Sequence, residues 1–155
     1  MQLSDSVIDV TLLTRRPLTP THPHQQIDTE FFKSKQLPAS QSTQDAVLCA
    51  LGTTIKKAGS KSAFEQVDFE LIVELAKAAH SAGYQKFIVV SSLGTKAGTT
   101  NFYLQTKAKM ETALVDMGFD SLIILRPSLL LVERPDVRIG ERAGAMISQL
   151  MAPLF

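Results

Sequence analysis

Short apolar runs alternate in this chain with segments whose apolar residues recur every three or four positions. The runs lie at residues 7–13, 46–51, 86–90 and 121–125, and each ends in small, polar or charged residues. Continuous apolar runs of this length are typical of strands covered on both faces. Strands that alternate with helices imply crossover connections, so the pattern predicts an α/β fold built on a doubly wound parallel sheet.

The helical periodicity predicts two helices between these strands and one after them. Apolar residues at 64, 67, 71, 75, 78 and 82 form one stripe that ends at Gly83, a natural helix stop. A second helix is predicted over 102–117, before Gly118, and a third over 141–151, before Pro153. Residues 27–32 are interpreted as a further short strand, and residues 17–26, 33–43 and 56–62 as loops. Residues 129–132 either extend the strand at 121–125 or begin a new short element.

Length and charge limit the classes of function. A chain of 155 residues suits one domain, residues 1–155, and its net charge of +1 gives no electrostatic case for nucleic acid or an anionic membrane. No apolar stretch approaches the ~20 residues that span a bilayer, and no targeting segment is visible, so we expect a cytoplasmic protein. Cys49 is interpreted as a buried thiol in a reducing compartment. His22 and His24, with no nearby cysteine or carboxylate, predict no metal site.

Four polar segments follow directly after predicted strands. They are Arg15-Arg16, Gly52-Thr53-Thr54, Ser91-Ser92 and Pro127-Ser128. Ligands of open parallel sheets bind at the carboxyl ends of the strands. These segments are therefore the predicted edge of a binding site.

Tyr103 and Lys107 carry the clearest chemical signal. They are four residues apart on a predicted helix, so their side chains share one face. A lysine cation near a phenol favours the phenolate, and such a tyrosine can act as a general acid or base. Ser91 or Ser92, at the end of the preceding strand, could hydrogen-bond the same substrate oxygen.

These residues resemble the Ser-Tyr-Lys pattern of the short-chain dehydrogenase/reductase superfamily. The chain is most similar to the atypical, NAD(P)-binding subgroup with NmrA-like and TIP30-like proteins, over about residues 7–150. The resemblance lies in the runs at residues 49–54, 90–94, 101–107 and 125–128. It implies a Rossmann-like domain and an NADP-dependent oxidoreductase acting on the carbonyl or hydroxyl of an unidentified small molecule, with Ser91 or Ser92, Tyr103 and Lys107 as catalytic residues.

The resemblance also implies cofactor contacts. Arg15 and Arg16 match the position where the adenosine ribose lies, and a basic pair there favours NADP over NAD, which would call for an acidic residue. The alternative is a solvated basic turn. Lys107 would hold the nicotinamide ribose as well. The remaining implied contacts are Leu51, Gly52 and Thr53 beside the adenine and ribose, and Pro127 and Ser128 beside the nicotinamide.

The chain departs from the family pattern at its start. Family members begin with a central strand and a glycine-rich turn that binds the pyrophosphate, whereas no glycine precedes Gly52 here. We therefore expect a Rossmann-like sheet that lacks the first strand and glycine-rich loop, with weakened NADPH binding. The gap would fall between the strands at 7–13 and 46–51. A monomer of low stability is expected, or an assembly such as a homo-oligomer in which a partner fills the gap.

Two other functions stay open. One is a non-catalytic NAD(P)-binding or regulatory protein, as some members of this subgroup are. The other is an inactive fragment that has lost cofactor binding.

Overall fold

The computed structural model describes residues 9–21 and 23–128. Several predictions lie outside them. These are the helix over 141–151, the strand extension or new element at 129–132, the first residues of the strand predicted over 7–13, and His22.

Five short parallel strands form two sheets. The first sheet pairs β1 (Val10–Leu13) with β2 (Gln25–Asp28). The second places β4 (Lys86–Val90) between β3 (Ala46–Cys49) and β5 (Ser121–Leu125). All three pairings are parallel, as the alternation of strands and helices predicted.

The two sheets are not hydrogen-bonded to each other. Among the described residues, β1 pairs only with β2 and β3 pairs only with β4. The sequence predicted a gap between the strands at 7–13 and 46–51, and among the described residues no hydrogen-bonded pairing joins β1 to β3. Each sheet therefore has two edges without a strand partner within the described part of the chain, at β1 and β2 in the first sheet and at β3 and β5 in the second.

The strand predicted over 27–32 is wrong in its second half. The side chain of Asp28 accepts a hydrogen bond from the Glu30 amide at 2.7 Å, which turns the chain out of β2. The next residues form α1 (Phe31–Ser34), which ends at Lys35 in the left-handed conformation with φ of 57°. Phe31 is completely buried, so its apolar character reflects packing in the core.

The loop predicted over 56–62 is also wrong, because two short helices occupy it. The Thr54 hydroxyl accepts from the Lys57 amide and caps α2 (Ile55–Ala58), while the Ser60 hydroxyl accepts from the Ala63 amide and caps α3 (Lys61–Glu65). Gly59, with φ of 88°, separates them in a conformation that costs glycine little.

The two longer predicted helices are confirmed. The first begins as α3, passes through a π-helical turn (Gln66–Glu70) and continues as α4 (Leu71–Ser81). The second is α5 (Phe102–Val115), whose N-terminus is capped by the side chain of Asn101. The π turn inserts one wider turn into the first helix.

The hydrophobic core lies on one face of the three-stranded sheet. Alternate strand residues meet the apolar faces of α4 and α5, and the fully buried members include Cys49, Phe87, Val89, Ile72, Ala76, Met110 and Leu114. The opposite face stays open among the described residues, where Leu48 is 63% exposed and Ile123 and Leu125 are each 46% exposed. The prediction that these strands are covered on both faces is therefore not met in this part of the chain.

These parallel sheets and helices make an α/β architecture consistent with a Rossmann-like fold. No described helix is long and apolar enough to cross a membrane. Because β1 and β2 pair in parallel, His24 lies near a carboxylate that is distant in sequence: its Nδ1 is 3.1 Å from Asp9 Oδ1.

Candidate functional site

The carboxyl ends of β4 and β5 bring two of the predicted polar segments together. The Ser91 amide donates to the Leu125 carbonyl at 2.7 Å, and the Leu93 amide donates to the Pro127 carbonyl at 3.1 Å. These bonds extend the ladder between the two strands by a few residues. Ser91-Ser92 and Pro127-Ser128 therefore lie side by side at this edge of the sheet.

The two serines differ in their surroundings. Ser91 is 5% exposed, and its hydroxyl has no hydrogen-bond partner within residues 9–21 and 23–128. Ser92 is half-buried, and its hydroxyl lies 3.4 Å from the Leu93 carbonyl. Because a buried polar atom without a partner costs free energy, the Ser91 hydroxyl is the better candidate to meet a ligand.

Tyr103 lies in the first turn of α5, near a group of aromatic rings. It is half-buried, and its ring centroid is 5.6 Å from that of Phe64. Lys107 follows one turn later on the same helix, as the spacing predicted, and its side chain is buried. No hydrogen bond in the described part of the chain joins the Tyr103 hydroxyl to Lys107 or Ser91.

The partner of Lys107 is Asp68, which the sequence reasoning missed. Lys107 Nζ lies 2.8 Å from Asp68 Oδ1, and the two side chains are 4% and 1% exposed. Asp68 lies in the π turn, one residue after Val67, and is not a member of the apolar stripe that was predicted on this helix. The available signal was a lone acidic residue, next to Val67, inside an otherwise apolar helix face.

Asp68 also contacts the segment that follows β3. Its Oδ2 accepts a hydrogen bond from the Thr53 amide at 2.8 Å. A Cβ atom added to Gly52 would stand 3.4 Å from Asp68 Oδ1, an ordinary van der Waals contact, so the loop passes close to the carboxylate. Three elements thus meet at one side chain: the loop after β3, the π turn and α5.

Cys49 ends β3 just before this loop and is buried, as predicted. Burial raises the pKa of its thiol above the ordinary value of 9.0, an effect that the Leu51 backbone and the nearby Lys107 charge oppose. Leu51 itself is half-buried and packs against the core. The thiol therefore behaves as part of the core.

Arg15 and Arg16 follow β1 and are both exposed. With Thr14 and Leu18 they line a cavity of about 400 Å³. The Thr14 hydroxyl donates to the Arg16 carbonyl at 2.7 Å, which fixes the turn that carries the two guanidinium groups. Planar guanidinium groups match the geometry of a phosphate, so this turn can hold one.

A second ion pair, also missed from sequence, connects α5 to the end of β5. Arg126 Nε donates to Glu111 Oε1 at 3.0 Å, and its terminal nitrogen contacts the other carboxylate oxygen, so the pair is bidentate. Glu111 is buried, whereas the Arg126 side chain is about half exposed. The pair raises the pKa of Arg126. The largest cause is the hydrogen bonding to Glu111, and the negative charge of Glu111 adds to it. Pro127 and Ser128 follow immediately and are positioned by it.

A larger groove of about 520 Å³ lies elsewhere, between residues 96–99 and one face of α5. None of the predicted catalytic side chains lines it. The described residues also contain no group of three His, Cys, Asp or Glu residues that could hold a metal ion.

The chain resembles named proteins over most of its length. It is 34% identical to the "Protein FMP52, mitochondrial" of Candida albicans, over 86% of this chain and 60% of that protein. It is also 34% identical to "Protein HTATIP2" of Rattus norvegicus, over 85% of this chain and 56% of that protein. The chain thus spans a little over half the length of these two relatives. A third similar protein, "FMP52-1, mitochondrial" of Scheffersomyces stipitis, is 42% identical over 57% of this chain and 39% of its own length.

These names correct the expected location. Six of the similar fungal proteins carry the word mitochondrial in their names, which contradicts a cytoplasmic protein. The cytoplasmic expectation followed from the absence of a visible targeting segment in residues 1–5, and that criterion was not sufficient.

A family model settles the wider relationship. The model named HIM1 matches residues 11–150, which is nearly the whole chain and includes every predicted site residue. The chain belongs to the HIM1 family.

Proposed function

We propose that this chain is the nucleotide-binding part of an NADP-dependent oxidoreductase of the short-chain dehydrogenase/reductase type, acting on a carbonyl or hydroxyl group. The observation that carries the proposal is the buried Ser91 hydroxyl, which has no hydrogen-bond partner among the described residues and lies at the carboxyl end of the central strand of the three-stranded parallel sheet. Ligands of such sheets bind at this edge. An unsatisfied buried hydroxyl there is explained by a ligand oxygen that completes its hydrogen bonding.

The residues present fit a nicotinamide dinucleotide. Arg15 and Arg16 would hold the 2′-phosphate, and this basic turn favours NADP over NAD. The adenine and ribose would lie beside Leu51, Gly52 and the half-buried Thr53. Pro127 and Ser128 would flank the nicotinamide, next to Ser91.

When bound, the dinucleotide supplies or accepts a hydride. The residues of this chain would handle the accompanying proton. In the direction of reduction, the Tyr103 hydroxyl gives a proton to the carbonyl oxygen of the substrate, and Ser91 donates a hydrogen bond to the same oxygen. Lys107 would stabilise the phenolate that remains and hold the nicotinamide ribose through the N–H groups that Asp68 leaves free. Ser92 is the second candidate for the hydrogen bond to the oxygen.

The two tyrosines of the chain allow a matched test. NADPH consumption would be followed by absorbance across a panel of aldehydes, ketones and quinones. Tyr103→Phe should abolish any turnover that the wild type shows, with an unchanged circular dichroism spectrum. Tyr84→Phe, at a position before β4, should retain it. Equal turnover in wild type and Tyr103→Phe would remove Tyr103 from the chemistry.

A non-catalytic NADP-binding protein is the second candidate. It is favoured by the engagement of Lys107 with Asp68 and by a Tyr103 hydroxyl that reaches neither Lys107 nor Ser91 among the described residues. Calorimetry separates the two functions. NADPH binding that Arg15→Ala/Arg16→Ala weakens, with no turnover on any substrate of the panel, would establish the binding function alone.

We further propose a mitochondrial location, on the strength of the names of the similar fungal proteins. The test is fractionation of cells that express the full-length protein from its own gene. Enrichment with mitochondrial markers supports the location, and recovery in the cytosolic fraction contradicts it.

A further inference from the structure

Asp68 stands where the helix before α4 widens into a π turn. Its side chain is 1% exposed, and the turn spans Gln66–Glu70 between two α-helical segments. Single π turns within helices occur frequently at functional sites, because they redirect one side chain without breaking the helix. Here the redirected side chain is a carboxylate that faces two other elements.

Each oxygen of this carboxylate has a different partner. Oδ1 lies 2.8 Å from the Lys107 ammonium, and Oδ2 accepts the Thr53 amide at 2.8 Å. Under the proposed function, Thr53 lies beside the adenosine half of the dinucleotide and Lys107 beside the nicotinamide half. One buried side chain therefore connects the contacts for both halves.

We propose that Asp68 is a positioning residue that couples Lys107 to the Gly52-Thr53 loop, so that the nicotinamide half of NADP binds more tightly when the carboxylate holds the lysine in place. This inference rests on the proposed function and adds to it a residue that touches neither substrate nor cofactor. The Lys107 ammonium has three N–H groups, and fixing one on Asp68 directs the other two. Without the carboxylate, the lysine loses this orientation.

Asp68→Asn separates the two contacts. The asparagine carbonyl can still accept the Thr53 amide, but its NH₂ group and the Lys107 ammonium are both donors. We expect binding of 2′,5′-ADP, which contains only the adenosine half, to change less than about twofold. Binding of NADP⁺ should weaken roughly tenfold, the loss expected for one charge-assisted hydrogen bond.

A double-mutant cycle tests whether Asp68 acts through Lys107. Lys107→Gln alone should also weaken NADP⁺ binding roughly tenfold, and adding Asp68→Asn to it should weaken binding no further. The double variant removes both charges and keeps hydrogen-bonding side chains. If Asp68→Asn alone does not fold, the comparison of Lys107→Gln with the double variant still decides the question.

The matched control is Glu65→Gln. It breaks the exposed Glu65–Lys109 pair, whose atoms are 3.1 Å apart and which joins the same helical segment to α5. All affinities would be measured on the full chain by NMR titration, which reaches millimolar dissociation constants, and Glu65→Gln should leave both ligands unaffected.

The outcomes are distinct. Selective loss of NADP⁺ binding in Asp68→Asn, absent from the Glu65→Gln control, supports the coupling. Equal losses for 2′,5′-ADP and NADP⁺, wild-type NADP⁺ affinity in Asp68→Asn, or a further tenfold loss in the double variant each overturn it while leaving the proposed function intact. A wild-type chain that binds neither ligand overturns the proposed function, and this inference with it.

Discussion

The ammonium of Lys107 lies 2.8 Å from the carboxylate of Asp68, with both side chains almost completely buried. The lysine was predicted to act on Tyr103, one turn away on the same helix. Its charge is instead compensated by a residue 39 positions earlier in the chain, on a π turn that faces it. Lys107 is therefore a structural member of the core as well as a candidate site residue.

The first prediction concerns the stability of this buried pair. Asp68→Leu or Lys107→Leu should each lower the free energy of unfolding by about 3–5 kcal/mol, because each leaves one charge buried without a partner. The double variant should lose much less than the sum of the two, since it removes both charges. Urea denaturation measures all four chains.

The exposed Glu65–Lys109 pair is the control for that experiment. Its side chains are 30% and 60% exposed, and Glu65→Gln should cost less than about 1 kcal/mol. Additive losses in the Asp68/Lys107 double variant would contradict the energetic coupling of the two residues.

The contrast between these two pairs shows what the sequence could and could not predict. Tyr103, Lys107 and the polar ends of the strands were found because each depends on spacing within one helix or on the end of one strand. Asp68 was missed because its partner is set by how two helices pack. No spacing rule carries that information.

The same distinction holds for the fold. The strands at 86–90 and 121–125 and the helix beginning at Phe102 were predicted correctly from local periodicity. Phe31 was assigned to a strand because an isolated apolar pair is compatible with either structure. The helices over residues 55–65 were missed because the segment is polar and shows no clear apolar periodicity. Their helical structure depends on the side-chain caps of Thr54 and Ser60.

The second prediction uses the raised pKa of Cys49. Because the folded thiol keeps its proton at a pH where the unfolded thiol has lost it, its contribution to stability is fully present below the ordinary pKa of 9.0. That contribution is lost as the pH rises through the raised pKa of the folded state, with a slope of at most about 1.4 kcal/mol per pH unit.

Unfolding free energies measured from neutral pH to above pH 9.0 test this, with Cys49→Ala as the reference. The variant keeps every other titrating group, so the wild type should lose stability more steeply over this range. Parallel pH profiles for the two chains would show that burial does not affect the thiol. Native Cys49 should also react with iodoacetamide far more slowly than the unfolded chain does.

The third prediction concerns the bidentate Arg126–Glu111 pair. Arg126→Lys keeps the charge but cannot form two parallel hydrogen bonds, and it should destabilise the fold slightly. Arg126→Ala leaves the buried Glu111 carboxylate without this guanidinium and should destabilise the fold more than Arg126→Lys does, although solvent around the half-exposed arginine limits the loss. The unfolding temperatures of the wild type and the two variants test this order. Equal unfolding temperatures of the wild type and Arg126→Ala would show that the pair does not stabilise residues 126–128.

The last prediction concerns the open face of the three-stranded sheet. Leu48, Ile123 and Leu125 form an apolar surface that no described residue covers, and such surfaces in soluble proteins mark contacts with other chains or cause aggregation. Leu48 lies on β3, whose free edge adds unpaired backbone groups to the same region. We therefore expect the isolated 155-residue chain to bind a fluorescent hydrophobic dye and to self-associate as its concentration rises.

Leu48→Glu/Ile123→Glu should reduce both dye binding and self-association, as measured by fluorescence and sedimentation velocity. These two side chains point away from the core, so the variant should keep its circular dichroism spectrum. The matched control is Val115→Glu, since Val115 is 60% exposed on α5, away from the sheet. A wild-type chain that stays monomeric and binds no dye would show that the open face is covered by the rest of the chain.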